Sequence, residues 1–320
     1  MKTTNFRIAI IGSGAIGSYY GAKLAYGGSD VHFLIRSDLS EIRSNGLSVR
    51  GKGENFRVTN VNCYNSTRKI GASDLVLIAV KATSNADLVD LIPPLLHERT
   101  MLLTLQNGLG NEEFLAKNFG ADRVLGGLCF ICLSRISRTE VERYDYGHIV
   151  IGEYGRKPQS RTHDVAAEFK RGAIQCNVIE NLALERWRKL VWNIPFNGLS
   201  ILAGGIDTAA ILHDEGLRRT TLGLMDEVIG AANRCGYPLE HSAAYEQMKR
   251  TETMGAYKPS TLLDWEAGRH LEIEGIWGEP LRRATAAGAN MPRLEIVYTL
   301  LKSLGEAERK KRTAAKRDNC

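Results

Sequence analysis

Short apolar runs alternate with amphipathic stretches over the first half of the chain, the pattern of a parallel sheet covered by helices. Phe6 to Ile11, Asp74 to Val80 and Met101 to Leu105 are compact and rich in Val, Ile and Leu. They read as strands buried on both faces. Val31 to Ile35 is a further strand, and Ser18 to Tyr26 between them has helical spacing and ends at Gly27-Gly28. Asp38 to Asn45 reads as a short helix closed by Gly46. Leu47 to Val61 alternates as one or two short strands around Gly51 and Gly53. After Lys81 a helix is expected to about His97, interrupted by Pro93-Pro94. Val124 to Ile136 and Val141 to Tyr154 read as an antiparallel extension of the sheet. Thr162 to Ala173 reads as a helix and Cys176 to Ile179 as the last strand. From Leu182 onward the periodicity is helical, with breaks near Pro238, Pro259 and Pro292, and no internal repeat is visible.

The stretch between the first strand and the first helix is Gly12-Ser13-Gly14-Ala15-Ile16-Gly17, a G-x-G-x-x-G. Strand, glycine turn, helix and strand fit within about 30 residues, the size of a dinucleotide-binding βαβ unit. Gly12 allows the tight turn, Gly14 lets backbone approach a pyrophosphate, and Gly17 lets the helix pack close to the strand. The helix N-terminus then offers N–H groups and partial positive charge to phosphate. Residues Gly12, Ser13, Gly14, Ala15, Ile16 and Gly17 are therefore the expected cofactor cradle. The fold class follows: an α/β Rossmann-type N-terminal domain over residues 1–180 and an all-α C-terminal domain over 181–308. The second strand ends Leu34-Ile35-Arg36-Ser37, with no acid until Asp38. A carboxylate there would favour a ribose hydroxyl and repel a phosphate, whereas Arg36 can bind a 2′-phosphate. The cofactor is read as NADP(H). Lys81 and Gln106-Asn107-Gly108 follow the carboxyl ends of two strands, where ligands of open α/β sheets bind. Both Lys81 and Asn107 are expected near the nicotinamide half.

Composition narrows the remaining classes. The net charge of +6 hints at nucleic acid until it is located. Residues 309–320 hold six Lys and Arg against Asp318, a charge of +5, which leaves +1 for the rest. This basic tail is expected to be disordered, and neither a nucleic-acid nor a membrane partner is expected. No apolar run approaches the roughly 20 residues of a membrane span, and the N-terminal apolar run is short and broken by glycine. The expected location is cytoplasmic. The six cysteines read as thiols, not as a disulfide framework. Cys129-Phe130-Ile131-Cys132 lies in a strand, where an odd separation turns its cysteines to opposite faces, and no second pair completes a metal site. No metal is expected. A homodimer is compatible with the sequence.

The helical half opens with Glu185 to Asn197, in which Lys189, Asn193 and Asn197 fall at i, i+4 and i+8. Amid Trp187, Leu190, Val191, Ile194 and Phe196, this stripe must be buried with partners, face a cleft or form a narrow polar face. Pro195 is expected to kink the helix. A second cluster, Lys258 to Gly278, offers Ser260, Asp264, Glu272 and Glu274. Ser260 is either a ligand or a helix cap, and Glu272 either a partly buried carboxylate or a solvated acid.

The ordered set GSGAIG, Lys81, Gln106-Asn107-Gly108-Leu109-Gly110, Lys189…Asn193…Asn197 and Lys258-Pro259-Ser260…Asp264…Gly268-Arg269…Glu272-Ile273 resembles the ketopantoate reductase family over about Arg7 to Leu304. The resemblance implies a helical domain like the C-terminal domain of 6-phosphogluconate dehydrogenase. It also implies NADPH-dependent reduction of 2-dehydropantoate to pantoate on the path to pantothenate and coenzyme A. Carried onto this chain, Lys189 is the general acid and Glu272 binds the substrate hydroxyl and the cofactor amide. Asn107, Asn193, Asn197 and Ser260 hold substrate, while Lys81 and Asn107 lie near nicotinamide. Glu272-Ile273-Glu274-Gly275-Ile276-Trp277-Gly278 departs from the family's usual Glu-Ile-Asp-x-x-Asn-Gly at Glu274 and Trp277. The alternatives are a related NADP-dependent reductase of another 2-oxo acid and a non-catalytic NADP(H) sensor.

Overall fold

The computed structural model describes the backbone of residues 6–318 and the side chains of 6–307. The chain forms two compact units. One runs to Asn107 and resumes from Asn111 to Leu182; the other takes Gly108–Gly110 and the chain from Ala183 onward.

Among the described residues, the first unit is built on a ten-stranded sheet. Its strands are β1 (Arg7–Ile11), β2 (Asp30–Leu34), β3 (Leu47–Gly51), β4 (Glu54–Val58) and β5 (Asn62–Tyr64). There follow β6 (Leu75–Ile78), β7 (Met101–Thr104), β8 (Val124–Arg135), β9 (Glu140–Glu153) and β10 (Cys176–Val178). The order is β4-β3-β9-β8-β7-β6-β1-β2-β5, with β10 beside β9. From β5 through β8 all pairings are parallel, and β9 then turns antiparallel to β8, as expected. The sheet also continues past β9, which the periodicity alone does not reveal. β3 pairs with it in parallel, and β4 closes a hairpin onto β3. Helices α1 (Ala15–Tyr26), α2 (Leu39–Asn45), α3 (Thr67–Ile70), α4 (Asn85–Leu91), α5 (Asn111–Phe119) and α6 (Ser160–Arg171) complete the unit. The helix expected to reach His97 stops at Leu91, and Pro93–Leu95 form a 3-10 turn. Two proline rings in succession deny the N–H groups that would continue it.

Strand β1 explains why these runs are continuously apolar. Ile8 and Ile10 enter one hydrophobic cluster and Ala9 and Ile11 another, all fully buried. No disulfide joins Cys63, Cys129, Cys132, Cys176 or Cys235. Burial pushes the Cys176 thiol up to about 12, so it carries no thiolate chemistry near neutral pH.

The second unit is helical: α7 (Leu182–Leu202), α8 (Thr208–His213), α9 (Glu215–Arg234), α10 (Ser242–Glu252), α11 (Ser260–Glu266), α12 (Glu279–Ala286) and α13 (Pro292–Asp318). Its core gathers Trp187, Leu190 and Ile194 of α7 with Val228 of α9, Leu262 of α11 and Leu294 of α13. Helix α7 continues through Pro195 to Leu202. Residues Glu274–Gly278 form a π turn at the head of α12. The basic stretch expected to be disordered continues α13 as far as Asp318, while Asn319 and Cys320 lie outside the described residues. Among the described residues no helix is long and apolar enough to cross a membrane.

Candidate active site

Four neighbouring parallel strands, β2, β1, β6 and β7, deliver the predicted residues of the first unit at their carboxyl ends. After β1 comes the glycine turn. Gly12 has φ +104°, and a Cβ there would stand 2.4 Å from the Val80 nitrogen. A Cβ on Gly17 would lie 1.9 Å from the Gly12 carbonyl oxygen, so helix and turn touch backbone to backbone. Gly14 differs: a Cβ there meets nothing within 4 Å. It opens α1 without a side-chain cap, and the first turn holds no acid. The N–H groups that start α1 thus remain suited to an anion. This contrast of two crowded glycines and one open one fits a pyrophosphate cradle. Ser13 Oγ donates to the Leu34 carbonyl at 3.0 Å, fixing the turn against the end of β2.

Arg36 follows β2 and is 73% exposed, 3.8 Å from Asp87. The acid two positions on is already engaged. Asp38 accepts from Arg135 at 2.8 Å and lies 3.6 Å from Arg138. Its charge is thereby balanced beside Arg36, a device invisible in the local sequence because both arginines come from the far end of β8 and beyond. Lys81, half-buried, heads the 3-10 turn Ala82–Ser84 after β6. Asn107, also half-buried, follows β7, and its carbonyl accepts from Asn111 Nδ2 at 3.0 Å.

In the second unit, α7 carries Lys189, half-buried, with Asn193 and Asn197, which are 7% and 2% exposed. The two asparagines are therefore buried, and the Asn197 side chain is partnered. Asn197 Nδ2 donates to the Asn193 carbonyl at 3.0 Å, and its Oδ1 accepts from the Thr261 N–H at 3.1 Å. Asn197 thus ties α7 to the first turn of α11, beside Ser260. Pro259 occupies the cap position, so the exposed Ser260 is the first helical residue and not the cap. Glu272, half-buried, precedes the π turn, and its carbonyl accepts from the Ile276 N–H at 3.2 Å. Trp277 in that turn is fully buried, and its indole N–H donates to the Ile194 carbonyl at 3.0 Å. The residue that departs from the family pattern is thus a core side chain locking the turn to α7. The geometry draws Asn193, Asn197, Ser260 and the Glu272 segment around one stretch of helix. Two candidates fall away from it. Asp264 accepts from Arg269 at 2.7 Å, and Glu274 accepts from Arg282 at 2.7 Å and Tyr298 at 2.8 Å. Both are turn and surface pairings. Gly108–Gly110 packs on the same π turn: Leu109 N–H donates to the Gly275 carbonyl at 2.9 Å. No cluster of three metal-ligating side chains occurs among the described residues.

Sequence reasoning overlooked Asn85 and Asn111, which share a buried polar chain with Gln106. Single amides in unrelated loops give no periodic signal.

The family profile described as ketopantoate reductase PanE/ApbA matches residues 8–156, and its C-terminal counterpart matches residues 181–305. A 2-dehydropantoate 2-reductase of Nostoc sp. is 38% identical over 303 residues, covering 93% of this chain and 95% of that protein. The crystal structure of 2-dehydropantoate 2-reductase from Geobacter metallireducens GS-15 superposes with a TM-score of 0.90 at 42% identity, covering 93% of this chain and 99% of that one. That from Methylococcus capsulatus gives 0.86 at 32% identity, covering 94% and 97%. With both profiles matched in order and relatives this similar spanning nearly the whole chain, the protein belongs to the ketopantoate reductase family.

Proposed function

We propose that the chain reduces 2-dehydropantoate to pantoate with NADPH. The observation that carries this reading is the 38% identity to a 2-dehydropantoate 2-reductase over 93% of the chain. Support from chemistry comes from the retained Lys189 and Glu272 and from the open glycine turn.

The glycine-turn backbone from Gly12 to Gly17 and the head of α1 would hold the cofactor pyrophosphate, with Arg36 on the 2′-phosphate and Lys81 and Asn107 toward the nicotinamide. A dinucleotide held there would supply hydride chemistry for the ketone carbon of the substrate. Negative charge then grows on the ketone oxygen. The Lys189 ammonium stabilises that charge and delivers a proton to it. Asn193 fixes the substrate's polar groups so that the oxygen meets the ammonium at hydrogen-bond distance. Ser260 takes the substrate carboxylate through its hydroxyl. Glu272 accepts from the substrate hydroxyl and so sets the ketone's orientation. Asn197 supports this set from behind, through Thr261. Partial burial of Lys189 serves the same end, because a charge-assisted hydrogen bond strengthens as water is excluded.

The direct test follows NADPH absorbance with a panel of 2-oxo acids. 2-Dehydropantoate should give the highest kcat/KM. A larger value for another 2-oxo acid would move the assignment to that substrate, and no oxidation with any would leave a binding protein.

A further inference from the structure

A polar chain runs through the first unit behind two of the residues assigned to the cofactor. Thr104 Oγ1 donates to Gln106 Oε1 at 2.9 Å. Gln106 Nε2 donates to Asn85 Oδ1 at 2.7 Å. Asn85 Nδ2 donates to Asn111 Oδ1 at 3.0 Å. Asn111 Nδ2 donates to the Asn107 carbonyl at 3.0 Å. Thr104, Gln106 and Asn111 are buried.

The direction of this chain is forced. A backbone carbonyl only accepts, so the nitrogen of Asn111 must face Asn107. Its oxygen then faces Asn85, whose nitrogen must donate to it. The oxygen of Asn85 turns to Gln106, and the oxygen of Gln106 to the Thr104 hydroxyl. Each side-chain amide is polarised by the next, and a reversal at any link passes along to the last. The chain joins three segments: the end of β7, the start of α4 four residues after Lys81, and the start of α5. It ends on the residue that follows Gln106.

Resting on the reductase reading, we propose that Asn85 and Asn111 are positioning residues that set the Asn107 backbone and the turn after Lys81 for reaction. Neither touches substrate. Their role is to hold the Asn107 carbonyl by a donor, which fixes the peptide plane and hence the direction of the Asn107 side chain. Asn85 serves both loops at once.

Asn85→Asp separates positioning from packing. The variant is isosteric and still accepts from Gln106. Its second oxygen cannot donate, so Asn111 turns over to donate to it and presents its own oxygen to the Asn107 carbonyl. Asn85→Ala removes the same links without reversing the last one. Both variants are compared with wild type for kcat and KM with 2-dehydropantoate, for NADPH dissociation constant and for unfolding temperature. Asn85→Asp should lower kcat by about ten- to a hundredfold, the scale of a displacement of about 1 Å at a reacting group. It should change the NADPH dissociation constant by less than about threefold, a loss in kcat and not in binding. Its kcat should fall below that of Asn85→Ala although it unfolds at the higher temperature. Asn111→Asp places an acceptor against the same carbonyl and should repeat the kcat loss. If Asn85→Asp is milder than Asn85→Ala, or if kcat follows unfolding temperature across the three variants, the chain is packing alone and the proposal fails while the reductase reading stands. A wild-type protein inactive on every 2-oxo acid overturns both.

Discussion

Arg36 shows how a single side chain is legible in sequence and yet incompletely described by it. Its place after β2, with no adjoining acid, makes it the candidate for a cofactor phosphate. The charge balance around it was not legible, because Arg135 and Arg138 reach Asp38 across about a hundred positions of chain. With Asp38 neutralised, removal of the guanidinium should cost phosphate recognition alone. Arg36→Ala should weaken NADPH binding by about tenfold or more, the worth of a charge-assisted hydrogen bond, and leave NADH nearly unchanged. Titration of both dinucleotides checks this, and equal losses would show that Arg36 does not read the phosphate. Gly12 and Gly17 were legible because the turn brings backbone against backbone at both positions. Asn197 was singled out by its spacing from Lys189, but its bond to Thr261, which spans 64 residues, was not legible.

Among elements, the β3–β4 hairpin is the clearest case of tertiary structure overriding local pattern. Its alternation predicted short strands but could not say which strand they join. An ionic cluster secures it. Glu54 of β4 accepts from Lys23 of α1 at 2.7 Å, from Tyr19 of α1 at 2.9 Å and from Arg143 of β9. Burial pushes the Glu54 carboxyl up, but these donors outweigh it and hold it below its ordinary value of 4.5. A carboxylate with a depressed folded-state value stabilises the fold above its unfolded value, and that stability is lost as pH falls through the folded one. Glu153, buried yet held low by Arg161, Thr162 and Arg156, acts in the same sense. So does His32, whose value is lowered chiefly by burial, since the unfolded chain takes up its proton first. The first unit should therefore lose stability as pH falls, first through His32 below about 6.5 and then through the two carboxylates below about 4.5. Glu54→Gln should cost about 1.5–3 kcal/mol at neutral pH, as loss of a hydrogen bond to a charged group does, and should flatten the acid limb. Denaturant unfolding between neutral and acid pH checks both. An acid limb equally steep in the variant would remove Glu54 from this role. The π turn at Glu274–Gly278 was also illegible: within it Trp277 donates to the Ile194 carbonyl, 83 residues away.

At the scale of the whole molecule, the chain divides at Ala183, near where buried apolar runs give way to helical periodicity. The excursion of Gly108–Gly110 into that unit was beyond reach, because three residues carry no periodicity and their partner, Gly275, is remote in sequence. The two units hold different parts of the proposed chemistry: dinucleotide recognition in the first and proton delivery in the second. This division makes a sharp demand. Binding of the dinucleotide and turnover of substrate must be separable by one change on α7. The measurement is NADPH oxidation by 2-dehydropantoate with wild type and Lys189→Ala, alongside NADPH affinity for each. The variant should lose at least about a hundredfold in kcat, the worth of a general acid, while its NADPH affinity stays within about threefold of wild type. Undiminished turnover in Lys189→Ala would contradict the account.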